Sequence, residues 1–198
     1  MSQRQIGLTG GIATGKTRVT RYLAEQYGLP ILDADLFARE AVAIGSPILA
    51  AISARYGSQI LAPEGELDRR QLGRIIFDDP RERRWLERQI HPYVRDRIRI
   101  GQGDLTASPI IVMVVPLLFE AQMTDLVTEI WVVTCSLAQQ VERLRRRDQL
   151  SDQEARARVD SQMPLKEKVR RAHIVIENGG SLADLYRAVD RAVLGSQA

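Results

Sequence analysis

The 198-residue chain contains 28 lysines and arginines and 25 aspartates and glutamates, a formal net charge of +3. Acidic residues are interspersed among the arginines, which argues against a continuous nucleic-acid-binding face, and no apolar run approaches the roughly 20 residues that span a bilayer. The single cysteine, Cys135, excludes an internal disulfide and agrees with a reducing compartment. We therefore expect one cytoplasmic α/β domain with insertions, without a nucleic-acid or membrane partner.

The first predicted strand leads into a glycine-rich loop. Ile6 and Leu8 belong to a short apolar run that predicts a buried strand, and apolar residues from Val19 onward recur at helical spacing. Residues 10–17, between these two elements, fit the pattern G-x-x-x-x-G-K-[ST] at every fixed position. The residues are Gly10, Gly11, Ile12, Ala13, Thr14, Gly15, Lys16 and Thr17. A strand, a glycine loop and a helix in this order predict a phosphate-binding loop.

The residue types in this loop suit a polyphosphate. Gly10, Gly11 and Gly15 lack a Cβ, so the backbone can turn its N–H groups inward as an anion nest at the positive end of a helix. Lys16 then reaches the β- and γ-phosphates of ATP, and the Thr17 hydroxyl is a ligand of the bridging Mg²⁺. The alternative is a glycine-rich helix start without a ligand, which the flanking strand and helix argue against.

A second short strand, Ile31-Leu32, is predicted to end at Asp33. Ligands of open α/β sheets bind beyond the carboxyl ends of the strands, so Asp33 and Asp35 should face the same crevice as the glycine loop. Asp33 suits the orientation of an attacking hydroxyl or the binding of Mg²⁺ through water. The alternative for both residues is an N-cap. The glycine loop favours function for Asp33 and leaves both interpretations open for Asp35.

Residues 36–101 are mostly helical in pattern and lack an obvious strand. The segment contains two breaks, near Ser46 and near Glu64, and a helix is predicted to start after Asp68. This is too long for a simple crossover between strands, so we interpret it as an inserted substrate-binding subdomain. Proline is disfavoured inside helices, so Pro92 predicts a kink or junction, and the preceding His91 is either a substrate contact or a structural histidine.

The apolar, β-branched segment 109–115 predicts a central parallel strand. It is followed by Pro116-Leu117-Leu118-Phe119-Glu120, which lacks the aspartate that many phosphate-loop enzymes use for magnesium. We therefore expect the metal to be held by Thr17, by water and by Asp33. Leu117 and Leu118 either line an apolar pocket or belong to the ordinary core.

The next predicted strand, 129–134, leads into an arginine-rich helical hairpin. Its first helix spans 137–148, and Ser151 with Glu154 forms a capping box for a second helix that is predicted to reach Gln162. We interpret the hairpin as a mobile lid that closes over a triphosphate; a solvated hairpin is the alternative. Arg143 and Arg147 share one helix face, which favours function for this pair.

The last predicted strand, 173–176, is followed by a turn and by a final helix that Ser181 caps. Asn178 lies at the carboxyl edge of this strand, where it either recognises a nucleotide base or simply makes an Asn-Gly turn.

Taken together, the ordered motifs of this chain resemble those of the dephospho-coenzyme A kinase family over almost the whole length. The segments that carry the resemblance are Ile6-Gly7-Leu8-Thr9-Gly10-Gly11-Ile12 with Gly15-Lys16-Thr17, Asp33-Ala34-Asp35 with Ala38-Arg39-Glu40, His91-Pro92, Pro116-Leu117-Leu118-Phe119-Glu120, the arginine lid with Gln162, and Val175-Ile176-Glu177-Asn178. The resemblance implies phosphate transfer from ATP to the ribose 3′-hydroxyl of dephospho-coenzyme A, the last step of coenzyme A biosynthesis. The alternative is a P-loop kinase for another small hydroxyl compound, such as a nucleoside monophosphate or a sugar acid.

The resemblance also implies a fold and a set of roles. The fold is a three-layer α/β P-loop NTPase with a five-stranded parallel sheet, in which the core spans about 1–35, 105–136 and 170–198, the helical coenzyme A insertion about 36–104 and the lid about 137–169. Asp33 is the implied base, Lys16 and Arg143 stabilise the phosphates, and residues 11–17 with Arg143, Arg147 and Asn178 bind ATP. The expected acceptor contacts are Asp33, Asp35, Arg39, His91, Leu117, Leu118 and Glu120, in a protein expected to be a monomer.

Three positions depart from the family pattern. Ala13 and Thr14 stand where glycine and serine or alanine are usual, which the loop should tolerate if Ala13 need not take a positive φ. His173 stands where an aspartate is usual, before the last strand.

Overall fold

In the computed structural model, which describes residues 3–195, one sheet of five parallel strands carries helices on both faces. The strands are β1 (Arg4–Gly10), β2 (Ile31–Asp33), β3 (Ile110–Val114), β4 (Glu129–Thr134) and β5 (Ile174–Glu177), and their order in the sheet is β2-β3-β1-β4-β5. The predicted five-stranded parallel α/β sheet is confirmed. The chain leaves central β1 toward one edge and later crosses to the other, so the loop after β1 lies at the switch point where ligands of such sheets bind.

The helices follow the predicted pattern closely. They are α1 (Lys16–Tyr27), α2 (Ala34–Glu40), α3 (Pro47–Tyr56), α4 (Arg69–Asp78), α5 (Pro80–Asp104), α6 (Leu137–Asp148), α7 (Asp152–Asp160), α8 (Leu165–Arg170) and α9 (Leu182–Gly195). Short 3₁₀ helices occupy Ser58–Ile60 and Thr124–Leu126. The side chains of Asp68, Ser151 and Ser181 accept backbone N–H bonds where α4, α7 and α9 begin, so these predicted helix starts are confirmed. Ser46, in a predicted break, caps α3 in the same way.

The chain divides into two compact units. The first comprises Met1–Asp33 and Gly101–Ala198, of which residues 3–33 and 101–195 are described. Its central strand β3 is buried at every position, as expected for a parallel strand covered on both faces. One face of the sheet packs against α1 and α9 through a single apolar core. Burying a full aliphatic side chain contributes about 1.5–3 kcal/mol, so this core holds α1 firmly behind the loop that precedes it.

The second unit comprises Ala34–Ile100 and is helical. Its core contains Val42, Leu49, Ile52, Ile60, Leu67, Leu72 and Leu86. The bond between Leu61 and Leu67 is an isolated antiparallel bridge, and no named strand lies within the unit, as the sequence indicated for this part of the described chain.

The predicted junction at Pro92 is wrong, whereas the alternative, a kink, stays a prediction. Helix α5 runs without a break from Pro80 to Asp104, with Pro92 inside it. Proline removes one N–H bond to the carbonyl four residues earlier, but α5 is 25 residues long and buries Leu86, Val94 and Ile98 on both sides of Pro92. The tertiary contacts of these side chains outweigh the local cost, because helices in proteins are stabilised mainly by packing of their apolar face.

His173 bonds to the backbone of β4. Its Nδ1 accepts the N–H of Ile130 at 3.0 Å, and its own N–H donates to the Ile130 carbonyl at 2.9 Å. The residue therefore extends the pairing of β4 with β5 by one position. Histidine, at this position where an aspartate is usual in the family, thus has a structural role.

Glu82 is the centre of a polar cluster in the second unit. It accepts Arg55 Nε and Nη2 at 2.6 and 2.7 Å and the Tyr56 hydroxyl at 2.6 Å, while Arg55 lies 4.6 Å from the Trp85 ring centre. The bonds from Arg55, and then that from Tyr56, lower the pKa of Glu82 from 4.5 to about 2. The carboxylate form is therefore the one that the folded unit stabilises.

We predict that protonation of the Glu82 carboxylate lowers the free energy of unfolding at acid pH. A folded pKa below the unfolded value gives stability that is present above pH 4.5 and is lost as pH falls from 4.5 toward 2. Urea unfolding between about pH 6 and pH 3 should show a steeper decline for the native chain than for Glu82→Gln. Glu64→Gln, in an exposed turn, is the control and should follow the native curve. Parallel curves for the native chain and Glu82→Gln would contradict the assignment.

No helix within residues 3–195 is both long enough and apolar enough to cross a membrane.

Candidate functional site: the phosphate loop and its surroundings

The loop joins the central strand directly to a helix. Strand β1 ends at Gly10 and α1 begins at Lys16, with Gly15 as its N-cap at φ 100°. A Cβ at Gly15 would collide with Asn178 Nδ2, so glycine is required here both by the backbone angle and by the close approach of Asn178.

Side chains from several elements bind the carbonyl oxygens of the loop. Lys16 Nζ donates to the Gly10 and Gly11 carbonyls at 3.3 and 2.8 Å, and Gln140 Nε2 donates to the Ile12 carbonyl at 2.7 Å. The remaining bonds run from Arg143 Nη1 to the Ala13 and Thr14 carbonyls at 3.4 and 3.5 Å, and from Asn178 Nδ2 to the Thr14 carbonyl at 2.7 Å. Each carbonyl oxygen from Gly10 to Thr14 therefore accepts a hydrogen bond from a side chain.

This arrangement determines what the loop can bind. The N–H and C=O groups of a trans peptide point in opposite directions. The Ile12, Ala13 and Thr14 carbonyls are bonded to α6 and to Asn178, so the N–H groups of the same peptides turn toward the other side of the loop. Consecutive N–H groups on one concave side, in front of a helix N-terminus, form an anion site.

Ala13 corrects one sequence expectation. Its φ is 59°, in the left-handed region, so the condition under which alanine was expected to be harmless is not met. The left-handed conformation costs an L-residue about 1–2 kcal/mol, and glycine largely avoids this cost. The nest requires such a turn, and the bonds on the neighbouring carbonyls keep Ala13 in it.

Ala13→Gly is therefore expected to raise stability by about 0–1.5 kcal/mol, because relief of the left-handed strain exceeds the added freedom of the unfolded chain. Thermal unfolding would show this as a rise in Tm of a few degrees at most, since 1 kcal/mol corresponds to about 2–4 °C in a chain of this size. Ala24→Gly, inside α1, should instead lower stability by about 1 kcal/mol. A fall in Tm for Ala13→Gly would contradict the prediction.

The other predicted residues of the loop lie at its helical end. Thr17 is exposed in the first turn of α1, and Lys16 folds back onto the loop carbonyls. Asp33 is the last residue of β2 and pairs in register with Val114, so it lies at the carboxyl end of the sheet that carries the loop. Within residues 3–195, no group of three or more His, Cys, Asp or Glu side chains is placed to hold a metal ion.

The two lid arginines have different surroundings. Arg143 contacts the loop and also donates from Nη2 to the Asn178 carbonyl at 2.8 Å, so it lies beside the anion site. Arg147 donates to the Asp148 carboxylate at 2.8 and 2.9 Å and makes no described bond to the loop. The structure therefore places Arg143 at the loop and Arg147 against the Asp148 carboxylate, and the ATP-binding role of Arg147 stays a prediction.

Asn178 lies beneath the loop and is 3% exposed. Its N–H donates to the Thr134 carbonyl at 2.7 Å, which extends the pairing of β5 with β4 and directs its side chain to Thr14. Cys135, next to Thr134, is buried, and burial raises the pKa of its thiol. The thiol therefore stays protonated at neutral pH, which makes it a poor nucleophile.

The segment after β3 includes a feature that the sequence analysis missed. Leu118 is fully buried, as an ordinary core residue, whereas Leu117 is 39% exposed. Glu120 pairs with Lys168 Nζ at 2.8 Å and accepts the Met163 N–H at 3.1 Å. Lys168 is completely buried and also donates to the Pro116 carbonyl at 3.2 Å. In the sequence, only the rarity of lysine could have drawn attention to Lys168, since the chain has three lysines.

Two glutamines of the segment predicted to be a lid contact the loop, and the sequence analysis did not select them as site residues. Gln140 on α6 donates to the Ile12 carbonyl, and Gln162 Oε1 accepts the Ile12 N–H at 2.9 Å. The predicted extension of the second lid helix to Gln162 is wrong, because α7 ends at Asp160 and the nearby Pro164 disfavours continued helix. Gln162 lies in the turn that follows.

The second unit contains a separate cavity of about 290 Å³. Asp35 and Arg39, both on α2, line it together with Arg69. The remaining lining is mostly apolar: Ala38, Val42, Leu67, Leu72, Gly73, Ile76, Leu86 and Ile90. His91 does not line this cavity. It is half-buried on α5, where burial lowers the pKa of its imidazole and favours the neutral form.

The five-stranded parallel sheet and the phosphate-binding loop before the Lys16-Thr17 helix start define a P-loop nucleotide-binding protein. The sequence-family model described as dephospho-CoA kinase matches residues 4–184. The dephospho-CoA kinase of Trichormus variabilis is 57% identical over 98% of each chain. A solved Thermus thermophilus protein is 35% identical, with a TM-score of 0.83 and full coverage of both chains. The dephospho-CoA kinase from Campylobacter jejuni has a TM-score of 0.72 at 27% identity, over 97% of this chain and 96% of that one. This chain belongs to the dephospho-CoA kinase family.

Proposed function

We infer that this enzyme transfers the γ-phosphoryl group of ATP to the ribose 3′-hydroxyl of dephospho-coenzyme A, giving coenzyme A and ADP in the last step of coenzyme A biosynthesis. The observation that carries the inference is the family match across residues 4–184 of a chain whose Ile12, Ala13 and Thr14 carbonyls are bonded to α6 and to Asn178. The family match indicates the acceptor, and the bonding of the loop supports a triphosphate as the donor.

The triphosphate would lie along Gly11–Thr17, where backbone N–H groups and the α1 N-terminus meet it. Lys16 would exchange its bonds to loop carbonyls for the β- and γ-phosphates. Thr17 offers the hard oxygen donor that Mg²⁺ prefers and would hold the ion together with water and, through water, Asp33. When bound, Mg²⁺ neutralises charge on the β- and γ-phosphates. Arg143, next to the loop, adds positive charge where the transferred group becomes more negative.

Asp33 would act as the base. It lies at the carboxyl end of β2, the position where parallel sheets bring functional groups to a ligand. The transition state of phosphoryl transfer is loose, so the main task of the carboxylate is to orient the 3′-hydroxyl in line with the γ-phosphorus and to take its proton late.

The helical unit would bind the acceptor. Its cavity combines the charged Asp35, Arg39 and Arg69 with apolar walls, which suits a ligand that has both polar and apolar parts. Leu117, exposed after β3, is a further candidate contact, and so are His91 and Glu120. The burial of Leu118 argues against direct contact for that residue.

We also propose that the enzyme acts as a monomer. Magnesium dependence and a cytoplasmic location remain predictions.

The deciding experiment measures ADP formation from magnesium-ATP with dephospho-coenzyme A and, in parallel, with nucleoside monophosphates, gluconate and shikimate. Mass spectrometry then locates the new phosphate. Turnover with dephospho-coenzyme A alone, and phosphate on the ribose 3′-oxygen, is the expected result. Turnover with another acceptor alone would support the kinase chemistry but overturn the assignment of dephospho-coenzyme A as the acceptor.

A further inference from the structure

Ile12 is held on both of its backbone groups by glutamines of the lid. Gln140 Nε2 donates to its carbonyl at 2.7 Å, and Gln162 Oε1 accepts its N–H at 2.9 Å. Gln140 is only 2% exposed, and a Cβ at Gly11 would lie 2.5 Å from its Nε2. The second glycine of the loop thus leaves room for this amide. Two opposite hydrogen bonds on one residue fix the peptide planes on both sides of it.

Apolar contacts reinforce the same connection. The side chains of Ile12 and Ala13 pack against a small core formed by Val141, Leu144 and Ala155 of helices α6 and α7. The loop therefore rests on the lid helices through side chains as well as through hydrogen bonds.

The turn that carries Gln162 is itself anchored. The next residue, Met163, donates its N–H to Glu120 at 3.1 Å, and Glu120 is paired with the buried Lys168. Lys168 and Thr9 both donate to the Pro116 carbonyl, at 3.2 and 3.0 Å. These hydrogen bonds connect Thr9 of β1, through the Gln162 turn, to Ile12 of the loop. They restrict the position of the Gln162 amide.

The loop needs such support immediately after Ile12. The peptide that Gln140 binds through the Ile12 carbonyl is the one whose N–H belongs to Ala13, the residue with φ 59°. With the carbonyl directed to α6, this N–H points the opposite way. The bond from Gln140 therefore orients the Ala13 N–H, which belongs to the anion nest. The bond to Gln162 orients the preceding peptide, between Gly11 and Ile12.

We propose that Gln140 and Gln162 are positioning residues for triphosphate binding: they act through Ile12, and they hold the phosphate loop in its anion-binding form when the lid segment is in place. The proposal rests on the proposed function only for the use of ATP. It assigns neither glutamine a direct contact with the nucleotide.

The test compares Gln162→Met and Gln140→Met with their double variant and with Gln153→Met, an exposed glutamine on α7. Calorimetry measures the Kd of magnesium-AMP-PNP for each chain. The Kd of AMP, which lacks the β- and γ-phosphates, is measured by competition. Thermal unfolding identifies any variant that does not fold. Gln162 is only partly buried, so its variant still tests the proposal if the buried Gln140→Met does not fold.

Loss of one such bond is expected to raise the Kd of AMP-PNP by about 5–30-fold, the equivalent of roughly 1–2 kcal/mol. The double variant should resemble the single variants, because both glutamines act on one residue. AMP affinity and Gln153→Met should stay within about twofold of native. AMP-PNP affinity unchanged within twofold, or an equal loss for AMP, would overturn the proposal. Because no acceptor is present, the result is independent of whether dephospho-coenzyme A is the substrate.

Discussion

Asp33→Asn is expected to lower kcat by about 10²–10⁴-fold, the usual contribution of a positioned acid or base, with folding intact. An amide retains the shape and one oxygen of the carboxylate but cannot accept the 3′-hydroxyl proton. The KM values for both substrates should change far less than kcat, because the loss falls on the transition state. Steady-state kinetics with each substrate varied in turn, together with a thermal-unfolding curve, is the measurement.

Asp35→Asn is the matched comparison for this experiment. Asp35 is exposed in the first turn of α2 and lines the cavity of the helical unit, so its variant should alter acceptor KM while kcat falls by less than about tenfold. Near-normal turnover of Asp33→Asn would remove Asp33 from the role of base. A kcat loss in Asp35→Asn as large as that of Asp33→Asn would show that the two carboxylates had been assigned wrongly.

Arg143→Ala is expected to lower kcat by about 10²–10³-fold, while the KM for ATP rises by less than about tenfold. The guanidinium lies against the loop through the Ala13, Thr14 and Asn178 carbonyls, so its charge is fixed close to the anion site. A positive group in this place should stabilise the charge of the transferred phosphoryl group more than the bound ground state. Single-turnover and steady-state kinetics separate these effects.

Arg145→Ala provides the control, since Arg145 is an exposed arginine two residues further along α6. It should leave kcat and KM close to native, because an exposed surface charge contributes little. An effect of Arg143→Ala confined to the KM for ATP would make Arg143 a binder of the ground state and would contradict its assignment to the transition state.

The sequence was sufficient for features that depend on near neighbours. Residue types seven positions apart or fewer determine the glycine loop, the helix caps at Ser151 and Ser181, and the apolar runs of the strands. These features follow from φ preferences, capping hydrogen bonds and hydrophobic periodicity, all of which are written in short stretches of chain. For this reason the parallel sheet and the phosphate loop were predictable without coordinates.

Only the tertiary structure decided which side chains hold the loop. Gln140, Gln162 and Asn178 are more than 100 residues from the loop in sequence, so no local pattern connects them to it. The same holds for buried Lys168, whose partner Glu120 neutralises a charge that local rules place at the surface. Long-range packing also kept α5 intact through Pro92 and held Ala13 at a positive φ. Local chemistry therefore determined the elements of this kinase and the position of its loop, whereas the partners that orient the loop arose where distant segments met, because burial energies exceed local preferences there.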